Sequence, residues 1–380
     1  MKILIVQDRL RSGGTERQSV LLANAFAAAR NPTTLLTFRP GGALNATVSD
    51  DVDRCVLQPF DTGLDWFAPG LDRTVERFHP DIILCMGRMA NCYGHSCTKE
   101  IPERWPYPVV IGTMRTGKKL PWLFRFSLRR VHHVVANSQE ARARLITTQN
   151  LARDKISVIY NSLVFPAPPN ATSPVGGVPP PRTDSARASL RTAQGASAST
   201  TVLLNVAMFR PEKNQRELIA LAAELPRFLD WQLWLAGEGP ERASCERLAT
   251  QLRLTDRVRF LNFQRDPAPL YAAADIAVHA STSESLSNFL IEAQAHGLPA
   301  VAYAAQGIAE CFVPRHTGWA VPIGDRAAFL KALQPLFLSP PAERAARSAE
   351  ARDFARCTFD PARQVTAYLD LFAKLILTPR

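Results

Sequence analysis

The sequence predicts an α/β protein made of two Rossmann-like domains joined by a linker. Short apolar runs alternate with longer helical patterns, which is the βαβ rhythm of a parallel sheet. That rhythm pauses once, over residues 166–200, and then restarts. A chain of 380 residues also exceeds one ordinary domain and suits two.

In the first domain, residues 1–165, the strand-like runs are Lys2–Val6, Thr33–Phe38, Asp81–Cys85, Val109–Gly112 and Val131–Ala136. Between them Glu16–Arg30 and Leu64–Phe78 have helical spacing and few breakers, so each predicts a helix. Met1–Val6 is apolar but is followed at once by Asp8, Arg9 and Arg11, and it reads as a first strand, not a signal peptide. The stretch 166–200 holds Pro-Ala-Pro-Pro, Pro-Val-Gly-Gly-Val-Pro-Pro-Pro and an Ala/Ser run, which is linker chemistry. In the second domain, residues 201–356, the strand-like runs are Val202–Ala207, Trp231–Ala236, Val258–Phe260, Ile276–Val278 and Pro299–Tyr303. An amphipathic helix over residues 361–377 follows after the second domain has run its course.

A hydrophobic content of 46% is ample for a packed core and excludes a disordered protein. Forty-five Lys and Arg against 34 Asp and Glu give a net charge of +11, which attracts phosphates. Nucleic acid, anionic lipid and a phosphorylated substrate all fit that charge. No nucleic-acid reading motif accompanies it, so nucleic acid is not expected as a partner. No segment reaches the ~18 apolar residues of a membrane span. The seven cysteines contain no Cys-x-x-Cys pair and the seven histidines no His-x-x-x-His set, so no metal is expected. The thiols read as reduced and mostly buried in a cytosolic protein.

The most informative nine residues are Glu284-Ser-Leu-Ser-Asn-Phe-Leu-Ile-Glu292. They follow a short apolar run ending in His-Ala-Ser-Thr-Ser and precede Ala-His-Gly-Leu-Pro-Ala-Val, which reads strand, loop, helix, glycine stop, strand. Ser287 can cap the helix, and the amides of Asn288, Phe289 and Leu290 would point back toward the loop. Such a helix start attracts anions, phosphates above all. Glu292 lies about one turn on, roughly 7 Å along the axis. A carboxylate on either side of an anion site suits a ligand with hydroxylated groups flanking a diphosphate, as in a sugar nucleotide.

With its surroundings, this spacing resembles the signature of the family-four retaining glycosyltransferases. The segment 260–312 carries the likeness through Arg-Phe-Leu-Asn-Phe, Leu-Tyr-Ala-Ala-Ala-Asp-Ile-Ala-Val, the glutamate pair, and Gly307 with Glu310. The resemblance implies the GT-B fold, in which two Rossmann-like domains face each other across a cleft, with the last helix crossing back to the first. It implies a retaining, metal-independent transfer, with no cofactor, from a UDP- or GDP-sugar to a glycan or lipid-linked acceptor. The enzyme would be cytoplasmic or peripheral on the inner membrane.

The likeness also distributes roles among the residues. Arg210 and Lys213, three apart on a turn held by Pro211, can converge on one diphosphate and neutralise the leaving group. Glu284 would face the transferred sugar and, with those two cations, carry catalysis. Glu292 would take the ribose hydroxyls, while Ser287, Asn288, Phe289 and Leu290 line the donor. Gly13 and Gly14 let backbone amides approach a ligand, and in the family such a pair faces the donor diphosphate. Gly237 and Gly239 would clear space for the nucleoside, and Asn262–Asp266 would hold the base.

Two departures stand out. Ser285 replaces the glycine that usually follows the first glutamate, and no histidine occupies Cys85-Met-Gly-Arg88-Met-Ala-Asn91, where the family often has one. Arg88, Asn91 and Arg115 are the substitutes available to contact an acceptor. From Arg115 to Arg130, Lys118, Lys119, Arg125 and Arg129 interleave with Trp122, Phe124 and Phe126, chemistry that suits an anionic membrane surface or a core-packed helix with solvated cations. A sugar-nucleotide epimerase of similar fold and a basic membrane-binding scaffold are the alternatives. A dinucleotide oxidoreductase is disfavoured because Ser12-Gly-Gly-Thr-Glu16 is not Gly-x-Gly-x-x-Gly.

Overall fold

The computed structural model describes residues 1–98, 108–163 and 184–377. The chain divides into two compact units, one of Met1–Gly176 with Pro361–Arg380 and one of Gly177–Asp360.

The first unit begins β1 (Ile3–Gln7), α1 (Gly14–Ala28), β2 (Thr33–Thr37), β3 (Asp53–Val56), α2 (Leu71–Phe78) and β4 (Ile82–Cys85). It continues α3 (Arg88–Tyr93), β5 (Val109–Met114), α4 (Trp122–Arg130), β6 (His133–Ala136), α5 (Gln139–Gln149) and β7 (Ile156–Val158). The seven strands are parallel in the order β3-β2-β1-β4-β5-β6-β7. Strands β1, β4, β5 and β6 are buried throughout, which is why they read as continuous apolar runs, not alternating ones.

The second unit contains α6 (Asp184–Ala193), β8 (Thr201–Val206), α7 (Gln215–Ala223), β9 (Trp231–Ala236), α8 (Arg242–Gln251), β10 (Val258–Leu261) and α9 (Ala268–Ala273). It continues β11 (Ile276–His279), α10 (Asn288–Ala295), β12 (Ala300–Tyr303), β13 (Gly318–Val321), α11 (Arg326–Leu338) and α12 (Pro341–Thr358). Its six strands are parallel in the order β10-β9-β8-β11-β12-β13. The last helix, α13 (Pro361–Leu377), belongs to the first unit. Tyr368 and Phe372 are fully buried there, with ring centroids 6.1 and 5.6 Å from that of Phe26 on α1. Such side chains contribute roughly 1.5–3 kcal/mol each when buried, so α13 is part of this unit's core.

Three local expectations are corrected. The helix expected from Leu64 starts at Leu71, because buried Gln58 donates to the carbonyls of Leu64 (2.9 Å) and Phe67 (2.6 Å) and holds that stretch as a loop. Residues 184–193, expected as linker, form α6. Arg187 and Arg191 anchor that helix to Asp275 at 2.6 and 3.1 Å, while residues 166–183 of the expected linker lie outside the described residues. Strands β3, β7 and β13 went unrecognised because each is short and lies at or beside a sheet edge, where exposed or polar residues interrupt the apolar pattern. No cysteine is disulfide-bonded, and five of the seven are buried.

Candidate functional site

In the second unit the strand order reverses between β8 and β11, which run side by side with Leu203 opposite Ile276. Open α/β sheets bind ligands beyond the carboxyl ends of such neighbours. After β8 the chain turns through Phe209 into a 3₁₀ turn, Pro211–Lys213, which Asn214 closes in a left-handed conformation (φ 52°). The turn is braced from β9. Gly237 (φ +142°) and Gly239 (φ +150°) approach so closely that a Cβ would stand 2.2 Å from the Ala207 carbonyl and 2.3 Å from that of Phe209. These glycines therefore make room for the backbone that carries Arg210.

The loop after β11 is fastened to the same turn. Ser281 Oγ and the Thr282 amide both donate to the carbonyl of Glu212, at 2.8 and 2.9 Å. This brings Glu284 to Lys213: Nζ donates to Oε1 at 2.5 Å, while His279 Nε2 lies 2.9 Å from the same oxygen. Among the described residues nothing bonds Glu284 Oε2. The carboxylate is 9% exposed, and burial alone would raise its pKa; the charge of Lys213 and the His279 hydrogen bond outweigh that and hold it at about 2. Burial depresses the pKa of His279, more strongly than the nearby carboxylate raises it.

Behind His279, Asn205 Nδ2 donates to the Val278 carbonyl at 2.8 Å and lies 3.2 Å from His279 Nδ1. The carbonyl fixes which way the amide points, since its oxygen in that place would repel another oxygen. Asn205 Oδ1 is left buried with no partner. Leaving such a group unsatisfied costs about 1–3 kcal/mol.

Ser287 caps α10 and its hydroxyl accepts from the Leu290 amide at 3.4 Å, so that amide, expected to point at a ligand, is engaged. Asn288 and Phe289 begin the helix. Glu292, 8% exposed, accepts from Tyr271 Oη at 2.6 Å. Tyr271 is itself held between Phe289 and His296, at ring-centroid distances of 6.1 and 5.0 Å. Arg210 is exposed, and no hydrogen bond or ion pair to its side chain occurs among the described residues. In the stretch Asn262–Asp266, Asn262 Oδ1 accepts from Arg242 at 2.8 Å.

In the first unit the order reverses between β1 and β4. Gly13 precedes α1 in an extended conformation and Gly14 opens it. Asp8, beyond β1, accepts from the amides of Met89 (3.1 Å) and Ala90 (2.8 Å) at the start of α3. Its pKa is raised to about 6, by burial first, with those two amides working against the rise.

Arg88 is exposed at the first position of α3. Asn91 and Arg115 do not join it. The Asn91 amide donates to the carbonyls of Cys85 (2.9 Å) and Gly87 (2.8 Å) and accepts from the Thr113 amide (2.7 Å), so it ties β4 to β5 with nothing left for a substrate. Arg115 donates to Asn161 (2.5 Å) and to Tyr368 of α13 (2.7 Å) and serves as a clasp for that helix.

Helix α4 divides its aromatic residues. Phe124 is buried in the core, whereas Trp122 is 68% exposed beside exposed Arg125, Arg129 and Arg130, the last lying 3.6 Å over the Phe126 ring. No described helix is long and apolar enough to cross a membrane. Among the described residues no group of three His, Cys, Asp or Glu side chains could hold a metal ion.

His279, Asn205, Tyr271 and Asp8 escaped the sequence reading. The available signal was a polar residue inside or just after an otherwise apolar strand, as with Asn205 in Val-Leu-Leu-Asn-Val and His279 at the end of β11.

Residues 187–354 match the family described as Glycosyl transferases group 1, and residues 12–163 match Glycosyltransferase Family 4. The lipopolysaccharide core biosynthesis glycosyltransferase LpsE of Rhizobium meliloti strain 1021 is 34% identical over 139 residues, 37% of this chain and 40% of LpsE. LpsD of the same organism, also described as a lipopolysaccharide core biosynthesis glycosyltransferase, is 28% identical over 370 residues, 95% of each chain. The crystal structure of Anabaena HepE in complex with UDP and glucose superposes with a TM-score of 0.78 at 22% identity, covering 98% of this chain and 100% of HepE. That last likeness establishes the fold.

Proposed function

The chain belongs to the GT-B glycosyltransferases, and on that premise we propose that it moves a sugar from a nucleoside-diphosphate donor to a lipopolysaccharide or other cell-envelope acceptor. The observation that carries this reading is the convergence of Lys213 and Glu284 beyond the switch point of the second sheet, with unpartnered Arg210 on the same turn. Arg210 and Lys213 bind the diphosphate and offset the charge that grows as it leaves the sugar, which is where preorganised cations lower a barrier most. Glu284 accepts from sugar hydroxyls and Glu292 from the ribose. Ser287, Asn288, Phe289 and Leu290 set the helix start against the diphosphate.

Transfer proceeds with retention and needs no metal, since two side-chain cations already supply the charge. The donor is a UDP- or GDP-sugar. Lipopolysaccharide intermediates are anionic, which agrees with the net charge of +11 and with the exposed cations of α4. The same helix, led by Trp122, would hold the enzyme at an anionic membrane on the cytoplasmic face.

The test is to incubate the protein with labelled UDP- and GDP-sugars and cell-envelope glycolipid in EDTA, and to read the anomeric configuration of the product by NMR. Labelled glycolipid of retained configuration is expected. Inverted product, a strict metal requirement, or a sugar nucleotide converted without transfer would each contradict a stated part of the reading.

A further inference from the structure

We propose that Asn205 and His279 form a clamp that aims one oxygen of Glu284, Oε2, at the donor sugar. They would thereby act as positioning residues for sugar recognition. The inference rests on the donor-site reading above and adds residues to it. Asn205 Nδ2, fixed by the Val278 carbonyl, donates to His279 Nδ1, so the ring's single proton sits on Nε2 and is given to Glu284 Oε1. Lys213 donates to that same oxygen. Both bonds hold Oε1, and two donors, one from the turn after β8 and one from the end of β11, restrain the carboxylate's rotation. Oε2 is left without a partner, as the hydrogen-bond acceptor free to read hydroxyls.

His279 is 1% exposed and Asn205 is equally buried, so neither can touch a ligand in this arrangement; their action passes through Glu284. The division of labour has a consequence. Loss of the clamp should impair recognition of the sugar while sparing the nucleoside diphosphate, which meets Arg210 and Lys213.

Two measurements decide it. The first is calorimetric affinity for UDP, GDP and their sugar nucleotides, with kcat for donor turnover, in the parent and in His279→Leu, His279→Gln and Asn205→Ala. His279→Leu should bind the nucleoside diphosphate within about twofold of the parent, yet lose roughly tenfold in sugar-nucleotide affinity and more in kcat. That tenfold corresponds to one charge-assisted hydrogen bond. His279→Gln, whose amide can donate from a similar reach, should recover most of the loss, and Asn205→Ala should fall between.

The second is ¹⁵N NMR of the histidine rings in the parent, which needs no activity. At pH 8 His279 should show a proton on Nε2 and none on Nδ1. A proton on Nδ1, or equal losses for the nucleoside diphosphate and the sugar nucleotide in His279→Leu, would overturn the clamp. A parent that binds no nucleoside diphosphate or sugar nucleotide would instead overturn the donor-site reading, and the proposal with it.

Discussion

Lys213 and Glu284 are each other's nearest charge, and each matters to the other before any ligand arrives. Replacing Lys213 by Ala leaves Glu284 with His279 as its only side-chain donor and removes a cation from the leaving group. Turnover should fall about 10²-fold or more with little change in fold, as measured by initial rate beside melting temperature. Glu292→Gln should weaken nucleotide binding about tenfold by calorimetry, since a neutral amide accepts more weakly than a carboxylate.

The acid limb of stability tests the pair independently of catalysis. Glu284 titrates at about 2 in the folded chain against 4.5 ordinarily, so its contribution is complete above pH 4.5 and drains away as pH falls toward 2. Glu284→Gln should therefore lose less stability than the parent between pH 4.5 and 2 in urea titrations. A parallel acid limb in both would show that the carboxylate is not held this way. At this scale the sequence was legible where a motif spaced charged groups along one stretch. It was silent on His279 and Asn205, because a polar residue buried in a strand announces neither its partner nor its tautomer.

At the scale of elements, the site is a property of two loops and the strand ends that aim them. The Gly237–Gly239 stretch after β9 packs its backbone against Ala207 and Phe209, so Gly237→Ala forces a side chain into a left-handed position already filled by a carbonyl. A loss of about 1–3 kcal/mol in stability is expected. Because the strain falls on the Arg210 turn, diphosphate affinity should drop as well, while a Gly41→Ala control, open around its Cβ though also at positive φ (+68°), should leave that affinity unchanged.

Helix α4 carries a separate expectation. Substituting Trp122 by Ala together with Arg125 and Arg129 by Gln should weaken cosedimentation with phosphatidylserine vesicles, by about 1 kcal/mol per cation removed, without changing donor binding. Unchanged cosedimentation would assign those cations to solvent. The buried strands were legible because a covered parallel strand is apolar throughout. The edge strands were not, since half-exposed residues blur that pattern, and the loop before α2 was missed because its helical spacing is overruled by the single side chain of Gln58.

For the whole molecule, two parallel sheets each reverse strand order once, and nearly all the residues that survive as site candidates follow the four strands flanking those reversals. The exceptions are instructive. Asn91 and Arg115 also lie near the first reversal, but Asn91 is hydrogen-bonded to β5 and Arg115 to α13, something residue type and position could not reveal. The central claim is that the reversal in the second sheet is a nucleotide-sugar site whose cations are Arg210 and Lys213. Its most direct test is the melting temperature of the parent and of the Arg210→Ala, Lys213→Ala double variant, in EDTA, against UDP- and GDP-sugars with NAD as control. Ligands that bind only the folded state raise it in proportion to ln(1 + [L]/Kd). The account predicts a rise with one nucleoside-diphosphate class in the parent, none with NAD, and most of that rise gone in the double variant. A rise with NAD alone, or an undiminished rise in the double variant, would contradict it.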